Sequence, residues 1–457
     1  METREPVSDG SSRTPDPALP HRIAGRSELA ALLRERFGVT GELSPIRGGR
    51  AAAEALLAAM HPGRYGRSRN HLDGAVTGLS PYLRHGVLSL NEVRDAVFAW
   101  LKRHGQPRRS GEKLIAELGW RDFFQRVWRD RGDAIWQDME PGPVPASGSA
   151  RSEELPEDIR SGRTGLACID AFSTDLRRLG WLHNHARMWM AAYVVHWRQV
   201  RWQAGAHWFL EHLIDGDPAS NNLSWQWVAG TFSHKPYIFN RDNLERFSAG
   251  RHCRGCPAAA ACPFDARYEA LQQRLFKEQP GSGGTSASPG RSVAARPAPQ
   301  PLAPMGTGPA PAASGGEACV LWIHGEALGP DNPALRAHPG SPAVFVFDEP
   351  LIRERALSLK RLGFLYECLL ELPLEIRRGE VAAEVVRFSR RHGAGRVVTS
   401  QANDPRFRRI AAAIARELPL EVLAAPPFVE GLEGPAPLRF SRYWRRAEPK
   451  LWQSFQV

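Results

Sequence analysis

Nowhere does the chain reach the ~18 consecutive apolar residues that a membrane-spanning helix needs, so no membrane span is expected. Residues 1–10 are polar and lack the apolar stretch of a secretory signal, which points to the cytoplasm. Cysteine is scarce, six in 457 residues. In a reducing compartment so few thiols suggest metal ligation or catalysis before disulfides. Acid is short relative to base. The 60 Lys and Arg against 49 Asp and Glu leave a net charge of +11 and a pI near 9.7. That surplus suits a polyanionic partner, nucleic acid first, although an Arg-rich proteome gives the same balance. Tryptophan, by contrast, is plentiful at 14, and most of it lies between Trp100 and Trp227.

A length of 457 residues with 42% hydrophobic content allows two or three domains with real cores. Residues 1–25 are polar and Pro-rich and are expected to be disordered. Over 26–277 there is little strand alternation. Stretches such as 112–129 and 181–198 carry apolar residues at three- and four-residue spacing, which predicts a helical domain. Residues 278–317, rich in Pro, Gly and Ser, read as a flexible linker. From 318 to 457 the pattern changes again. Buried strands are predicted at 318–324 and 343–347, shorter ones at 396–400 and 420–424, with helices near 354–371, 380–392 and 405–417. Such alternation argues for a doubly wound parallel sheet of Rossmann or flavodoxin type, so the fold class is an all-α domain followed by an α/β domain.

Four clusters carry chemistry. Asp215-Gly-Asp217-Pro-Ala-Ser-Asn221-Asn-Leu-Ser-Trp225-Gln-Trp227 is too polar and too aromatic for an ordinary core segment. Thr77-Gly78-Leu79-Ser80, with Tyr65 upstream, leads into a helix, where hydroxyls and backbone N–H groups suit a phosphate or a plain helix cap. Asn184, Arg187 and Met188 fall on one helical face, as do Glu117 and Trp120. Cys253, Cys256 and Cys262 place three thiols in ten residues, which suits an iron–sulfur cluster, with zinc or free thiols as alternatives.

Together these motifs resemble the FAD-binding domain of the DNA photolyase and cryptochrome family. The resemblance implies that Tyr65, Thr77, Gly78, Leu79 and Ser80 hold the FAD pyrophosphate. It places Asn184 and Arg187 against the flavin, Met188 at its edge, Asp215 and Asp217 at the isoalloxazine and ribityl groups, and Asn221 at N5. Trp225 and Trp202 would pass electrons to the photoexcited flavin, while the family's third relay position falls near Ser149. Glu117 would hydrogen-bond the carbonyl of a flipped-out pyrimidine dimer held between Trp120 and Trp227. Arg121 and the basic run 102–109 are candidates for DNA phosphates. The implied activity is that of a deoxyribodipyrimidine photolyase acting on damaged DNA by light-driven electron transfer from reduced FAD, with a monomer favoured. Alternatives are a cryptochrome-type photoreceptor, a (6-4) photolyase using His183 or His185, and a light-independent nucleic-acid-binding protein. The stretch from Val320 to Leu335 resembles the start of the family's antenna domain, here displaced behind the flavin domain as if by circular permutation, with the antenna pigment unassigned. The cysteines, with Cys168 as fourth ligand, resemble those of the bacterial iron–sulfur cryptochromes and photolyases and imply a [4Fe–4S] cluster.

Overall fold

A computed structural model of the chain describes residues 18–277, 318–453 and 455; the linker expected at 278–317 lies outside the described residues. Helices dominate the first part. They are α1 (Arg26–Phe37), α2 (Arg50–Ala58), α3 (Pro62–Ser68), α4 (Ser80–Arg84), α5 (Leu90–Arg103) and α6 (Arg109–Arg131), then α7 (Glu157–Ser161), α8 (Ala167–Leu179), α9 (Asn184–Ala192), α10 (Trp202–His212), α11 (Pro218–Ala229), α12 (Arg241–Ser248) and α13 (Tyr268–Leu275). Their ends follow local chemistry. Ser89 and Glu92 form a reciprocal capping box at the start of α5. Asp217 caps α11 ahead of Pro218, and Gly230 closes it in the left-handed conformation.

The second part alternates strand and helix. Its elements are β2 (Cys319–Ile323), α14 (Pro333–Ala337), β3 (Ala343–Asp348), α15 (Glu349–Glu354), α16 (Leu359–Leu369), β4 (Glu375–Gly379), α17 (Val381–Arg391), β5 (Arg396–Ser400), α18 (Pro405–Ala415), β6 (Leu420–Leu423) and α19 (Phe440–Gln453). With a short β1 (Ala18–Leu19) the sheet order is β1-β4-β3-β2-β5-β6. Strands β2 to β6 pair in parallel, and β1 joins the β4 edge antiparallel. The order reverses at β2, between β3 and β5, where an open parallel sheet leaves a crevice at its carboxyl ends. One face of the sheet shares a continuous core with α5, α6 and α19, the other has its own core, and α8 to α12 enclose a third.

Both ends of the chain depart from the sequence reading. Residues 18–25, expected to be disordered, include β1, and Pro20 accepts a hydrogen bond from Tyr366 at 2.5 Å. A two-residue strand carries no periodicity, so its signal exists only in the sheet it joins. Helix α1, assigned to the helical domain, packs on α16, with Arg26 paired to Glu367 at 2.7 Å. The chain then crosses to the helical part through Gly48 and Gly49. A side chain at Gly48 would lie 2.1 Å from the Phe364 carbonyl, and Gly49 has φ 103°. At the other end α19, assigned to the α/β domain, packs on α6. There Phe440 stacks on Trp120 at 3.8 Å and 9°, and Tyr443 donates to Asp122 at 2.7 Å. Strand β4 was missed because Glu375-Ile-Arg377-Arg-Gly looks too charged. Arg377 is buried there between Glu375 and Glu384, at 2.7 and 2.9 Å.

A Cβ on Gly119 would sit 2.2 Å from the Trp444 ring, so this glycine sets how closely α19 approaches α6. Gly119→Leu should destabilise the protein by about 1–3 kcal/mol through overpacking. Gly66→Ala, where the nearest atom is 3.7 Å away, should leave the thermal midpoint within about a degree of wild type. Equal melting temperatures for Gly119→Leu and wild type would contradict this packing.

Candidate functional site

The helical part encloses a cavity of about 1170 Å³ among α4, α6, α9, α10 and α11. Its wall gathers Tyr65, Thr77, Ser80, Glu117, Trp120, Asn184, Arg187, Met188, Asp215, Asp217, Asn221 and Trp225 from segments spread over 161 residues of sequence. Gly78 and Leu79 do not line it. Gly78 has φ 68° and Leu79 is buried below, so these two shape the turn that presents Thr77 and Ser80.

At one end Asp215 receives Ser80 Oγ at 2.6 Å and Arg187 Nη2 at 2.8 Å on a single oxygen, Oδ2. Its other oxygen is buried without a partner. An unsatisfied buried carboxylate oxygen costs about 1–3 kcal/mol or more, which a ligand N–H or hydroxyl would recover. Asp217 is 1% exposed. It caps α11 through Ser220, accepts from Gln125 at 3.0 Å, and lies 3.8 Å from Arg121 and 4.0 Å from Arg84. Burial alone would raise its carboxyl, but Arg121 and Arg84 outweigh that and hold it below the ordinary carboxylate range. Asn221 spends its Nδ2 on the Ala206 carbonyl at 3.0 Å and on Asn222, which leaves Oδ1 as the atom it offers a ligand.

Opposite this polar end stand Glu117, Trp120 and Met188. Glu117 pairs with Lys113 at 2.8 Å and Arg69 at 3.3 Å. Burial, followed by the charge of Glu117, pushes the Tyr65 hydroxyl well above its usual range. Asn184 Nδ2 lies 3.5 Å from Met188 Sδ. Trp225 packs edge-on to Phe209 and against Gly205, where a Cβ would meet its ring at 2.2 Å.

Several expectations are corrected. Trp227 is not on the cavity wall and lies beside Tyr237, 5.7 Å between ring centres. Trp202, expected as an electron relay and not as a wall residue, is not among them: it is buried behind the wall with its indole N–H on Asp138 at 2.6 Å. One face of Trp120 is already covered by Phe440, because α19 folds back onto α6. Arg121 faces inward to Asp217 and is no surface contact for phosphate. In the basic run Arg108 pairs with Glu112 and Glu448 and lies over Trp452, which ties it to α19. His183 and His185 do not line the cavity. His183 accepts from the backbone N–H of His185, and His185 packs on Trp189 and Phe247. Sequence reasoning also missed Gln125, Arg84 and Ser220, which hold Asp217, since no motif marks them.

Two further cavities accompany this one. Cys168, Cys253, Cys256 and Cys262 all line one small cavity of about 350 Å³ with Arg241, His252 and Phe264. No disulfide joins them, and burial pushes the Cys168 thiol up to about 12. Among the described residues no group of three or more His, Cys, Asp or Glu is drawn together tightly enough to hold a metal ion. A larger cavity, about 820 Å³, opens at the carboxyl ends of β2, β3 and β5, between Trp322, His324, Glu326, Phe347 and Asp404. Arg84 and Arg361 close it toward the helical part, and both donate to the Gly216 carbonyl, at 3.0 and 2.8 Å. Arg361 has no carboxylate within pairing distance among the described residues. Burial, then Arg84, lowers it to about 9, and its Nε has no partner.

A family model described as the FAD binding domain of DNA photolyase matches residues 114–250. Over this domain the chain is similar to the photolyase/cryptochrome family. The deoxyribodipyrimidine photo-lyase of Streptomyces griseus is 37% identical over 201 residues, 41% of this chain and 41% of that protein. That of a Synechococcus species is 31% identical over 267 residues, 54% and 49% of the two chains. A rice cryptochrome DASH is 33% identical over 171 residues, 36% of this chain and 28% of its own. The chain thus spans less than half the length of these curated relatives. Among solved structures a Synechocystis cryptochrome aligns with TM-score 0.42 and 24% identity over 51% of this chain and 52% of its own. The helical FAD-binding domain is joined to a sheet that is parallel apart from β1, and no described helix is long and apolar enough to cross a membrane.

Asp217 titrates lower in the folded protein than in the unfolded chain. Its pairing therefore stabilises the fold above the ordinary carboxylate value of about 3.9 and is lost as pH falls below it. Asp217→Asn should cost roughly 3–5 kcal/mol at neutral pH, because it strands two buried guanidinium groups. The gap to wild type should narrow as pH falls below about 4. A gap that is constant with pH in urea titrations would contradict the pairing.

Proposed function

We propose that the protein is a light-driven DNA photolyase that repairs pyrimidine dimers. The observation that carries this reading is the two-ended cavity. One end offers the hydroxyl of Ser80, the open oxygen of Asp215 and the free Oδ1 of Asn221; the other offers Glu117, Trp120 and Met188. Bound FAD would supply, when reduced and excited by light, one electron to the substrate and take it back after bond scission. The chain's part is positioning. Asp215 and Arg187 orient the flavin end, and Asp217 pins α11, which carries Asn221 and Trp225. Glu117, held by Lys113 and Arg69, accepts or directs a hydrogen bond at the pyrimidine edge. Trp120 offers its uncovered side to a flipped base, a contact of about 1–3 kcal/mol. The surplus of +11 favours approach of damaged DNA.

A cryptochrome-type photoreceptor is the second reading. It is favoured by Trp227 standing off the cavity and by the Phe440 cover on one face of Trp120, which removes the pair of indoles expected to sandwich a lesion.

We also propose a [4Fe–4S] cluster held by Cys168, Cys253, Cys256 and Cys262. Four thiols line one cavity of about 350 Å³, and four thiolates are the ligand set such a cluster takes. The trailing α/β domain is read as a circularly permuted antenna domain. Its cavity beside the unpaired Arg361 would take a pigment with an anionic group.

The test is blue-light repair of a thymine cyclobutane dimer in an oligonucleotide by pre-reduced, anaerobic protein, beside a dark control. Light-dependent repair should fall about tenfold or more in Glu117→Ala, the loss of one hydrogen bond to a charged group. Protein that carries FAD and repairs no dimer contradicts the photolyase reading and leaves the photoreceptor. Iron analysis of the same anaerobic preparation should return about four iron atoms per chain, and iron-free protein contradicts the cluster.

A further inference from the structure

The two tryptophans assigned to electron passage differ in one respect that decides where a charge can rest. Trp225 lines the cavity, is 2% exposed, and its indole N–H is buried without a partner. Trp202 is equally buried, at 3%, but its Nε1 donates to Asp138 Oδ1 at 2.6 Å. Trp225 lies over Gly205, and Gly205 is one helical turn along α10 from Trp202. Asp138 itself is exposed to solvent. The segment that carries it is fixed on both sides by the buried Gln226, which donates to the Ile135 carbonyl at 2.9 Å and accepts from the Met139 N–H at 3.0 Å. Arg151 lies near enough for the Asp138 charge to act on it, against the burial that pushes its guanidinium down.

We propose that Asp138 is the proton acceptor that ends the electron relay at Trp202, an inference that rests on the flavin reading of the cavity. When Trp225 gives an electron to light-excited oxidised flavin, it becomes an indole radical cation. Among the described residues no acceptor meets its indole N–H, so it keeps its proton and takes an electron from Trp202. An indole radical cation is a far stronger acid than the parent indole. Trp202 therefore passes its Nε1 proton to Asp138 and is left as a neutral radical. That step removes the positive charge and blocks the electron's return, so no third tryptophan is needed to carry the charge to the surface. Ser149 stands where a third was sought, and Asp138 performs the task that an exposed tryptophan would. The protonated Asp138 releases its proton to water. A thiolate from solution passes an electron inward to the Trp202 radical and leaves as a thiyl radical, while a proton returns from water through Asp138 to the indole nitrogen, which closes the balance.

The experiment is flash absorption of the FAD-loaded, oxidised protein, read at wavelengths that separate the cation and neutral forms of the tryptophan radical. It is paired with ultraviolet resonance Raman spectra taken in the dark. Wild type should show the Raman signature of a strongly hydrogen-bonded indole N–H. After the flash it should form the neutral radical, more slowly in heavy water. Asp138→Asn keeps an acceptor but removes the base, so the cation should persist and recombine, with the yield of long-lived neutral radical falling about tenfold or more. Asp138→Glu should restore it, and Trp202→Phe should abolish it. Neutral-radical yield in Asp138→Asn equal to wild type would overturn the proposal. Absence of any tryptophan radical from flavin-loaded wild type would overturn the relay itself, a different failure.

Discussion

A single buried carboxylate, Asp217, ties the molecule together. It caps the helix that carries Asn221 and Trp225, and it draws Arg121 from α6 and Arg84 from α4 into the same small volume. Arg84 reaches onward to Glu326, beyond β2 of the α/β part, at 3.0 Å. Arg361 of α16 meets Arg84 on the carbonyl of Gly216, the residue before Asp217. A Cβ at Gly216 would lie 2.8 Å from the Arg361 guanidinium and 3.0 Å from the Leu213 carbonyl, so this cavity-wall glycine also lets the neighbouring domain approach closely. Three guanidinium groups are desolvated at this junction, at a cost that only close carboxylates and backbone carbonyls offset. The large cavity and the sheet-edge cavity consequently share a wall.

The chain order is unusual for what the fold does with it. Its first strand and helix finish the α/β part, and its last helix finishes the helical part. The ends therefore cross, and neither part is complete without sequence from both halves of the chain. That crossing explains the single core running from α5 and α6 into the inner face of the sheet. It also places Phe440 on Trp120, so the wall facing a prospective substrate is finished by a residue 320 positions away.

Much of this was legible in the sequence, for identifiable reasons. The helix at 218–229 is framed by Asp217, Pro218 and Gly230, and the strands at 319–323 and 343–348 are built on continuous buried apolar runs, while the helix over 109–131 was read from the apolar spacing across 112–129. The cavity residues Tyr65, Thr77, Ser80, Asn184, Arg187, Asp215, Asp217 and Asn221 were legible through the resemblance of their motifs to the photolyase FAD-binding domain; taken alone, Thr77 and Ser80 read equally as a helix cap, which is what Asp217 is for α11. Other features had no local signal. Strand β4 hides behind charges that are neutralised only by α17, and β1 exists only as an edge addition. Trp120 and Trp227 were paired by their residue type. Their actual neighbours, Phe440 and Tyr237, are set by tertiary packing that spacing does not encode. Asp138 escaped notice because an acid in a polar connection is ordinary until an indole is found on it.

The account stands on the helical cavity being a flavin site whose polar end is organised by Asp215. The most direct test is the flavin released from purified protein after reconstitution, identified and counted by chromatography, for wild type and Asp215→Asn. About one FAD per chain in wild type, with affinity reduced tenfold or more in the variant, is the predicted result, since the variant loses a charge-assisted contact of about 1.5–3 kcal/mol. Wild-type protein that takes up no FAD, or takes it up equally after Asp215→Asn, would contradict it.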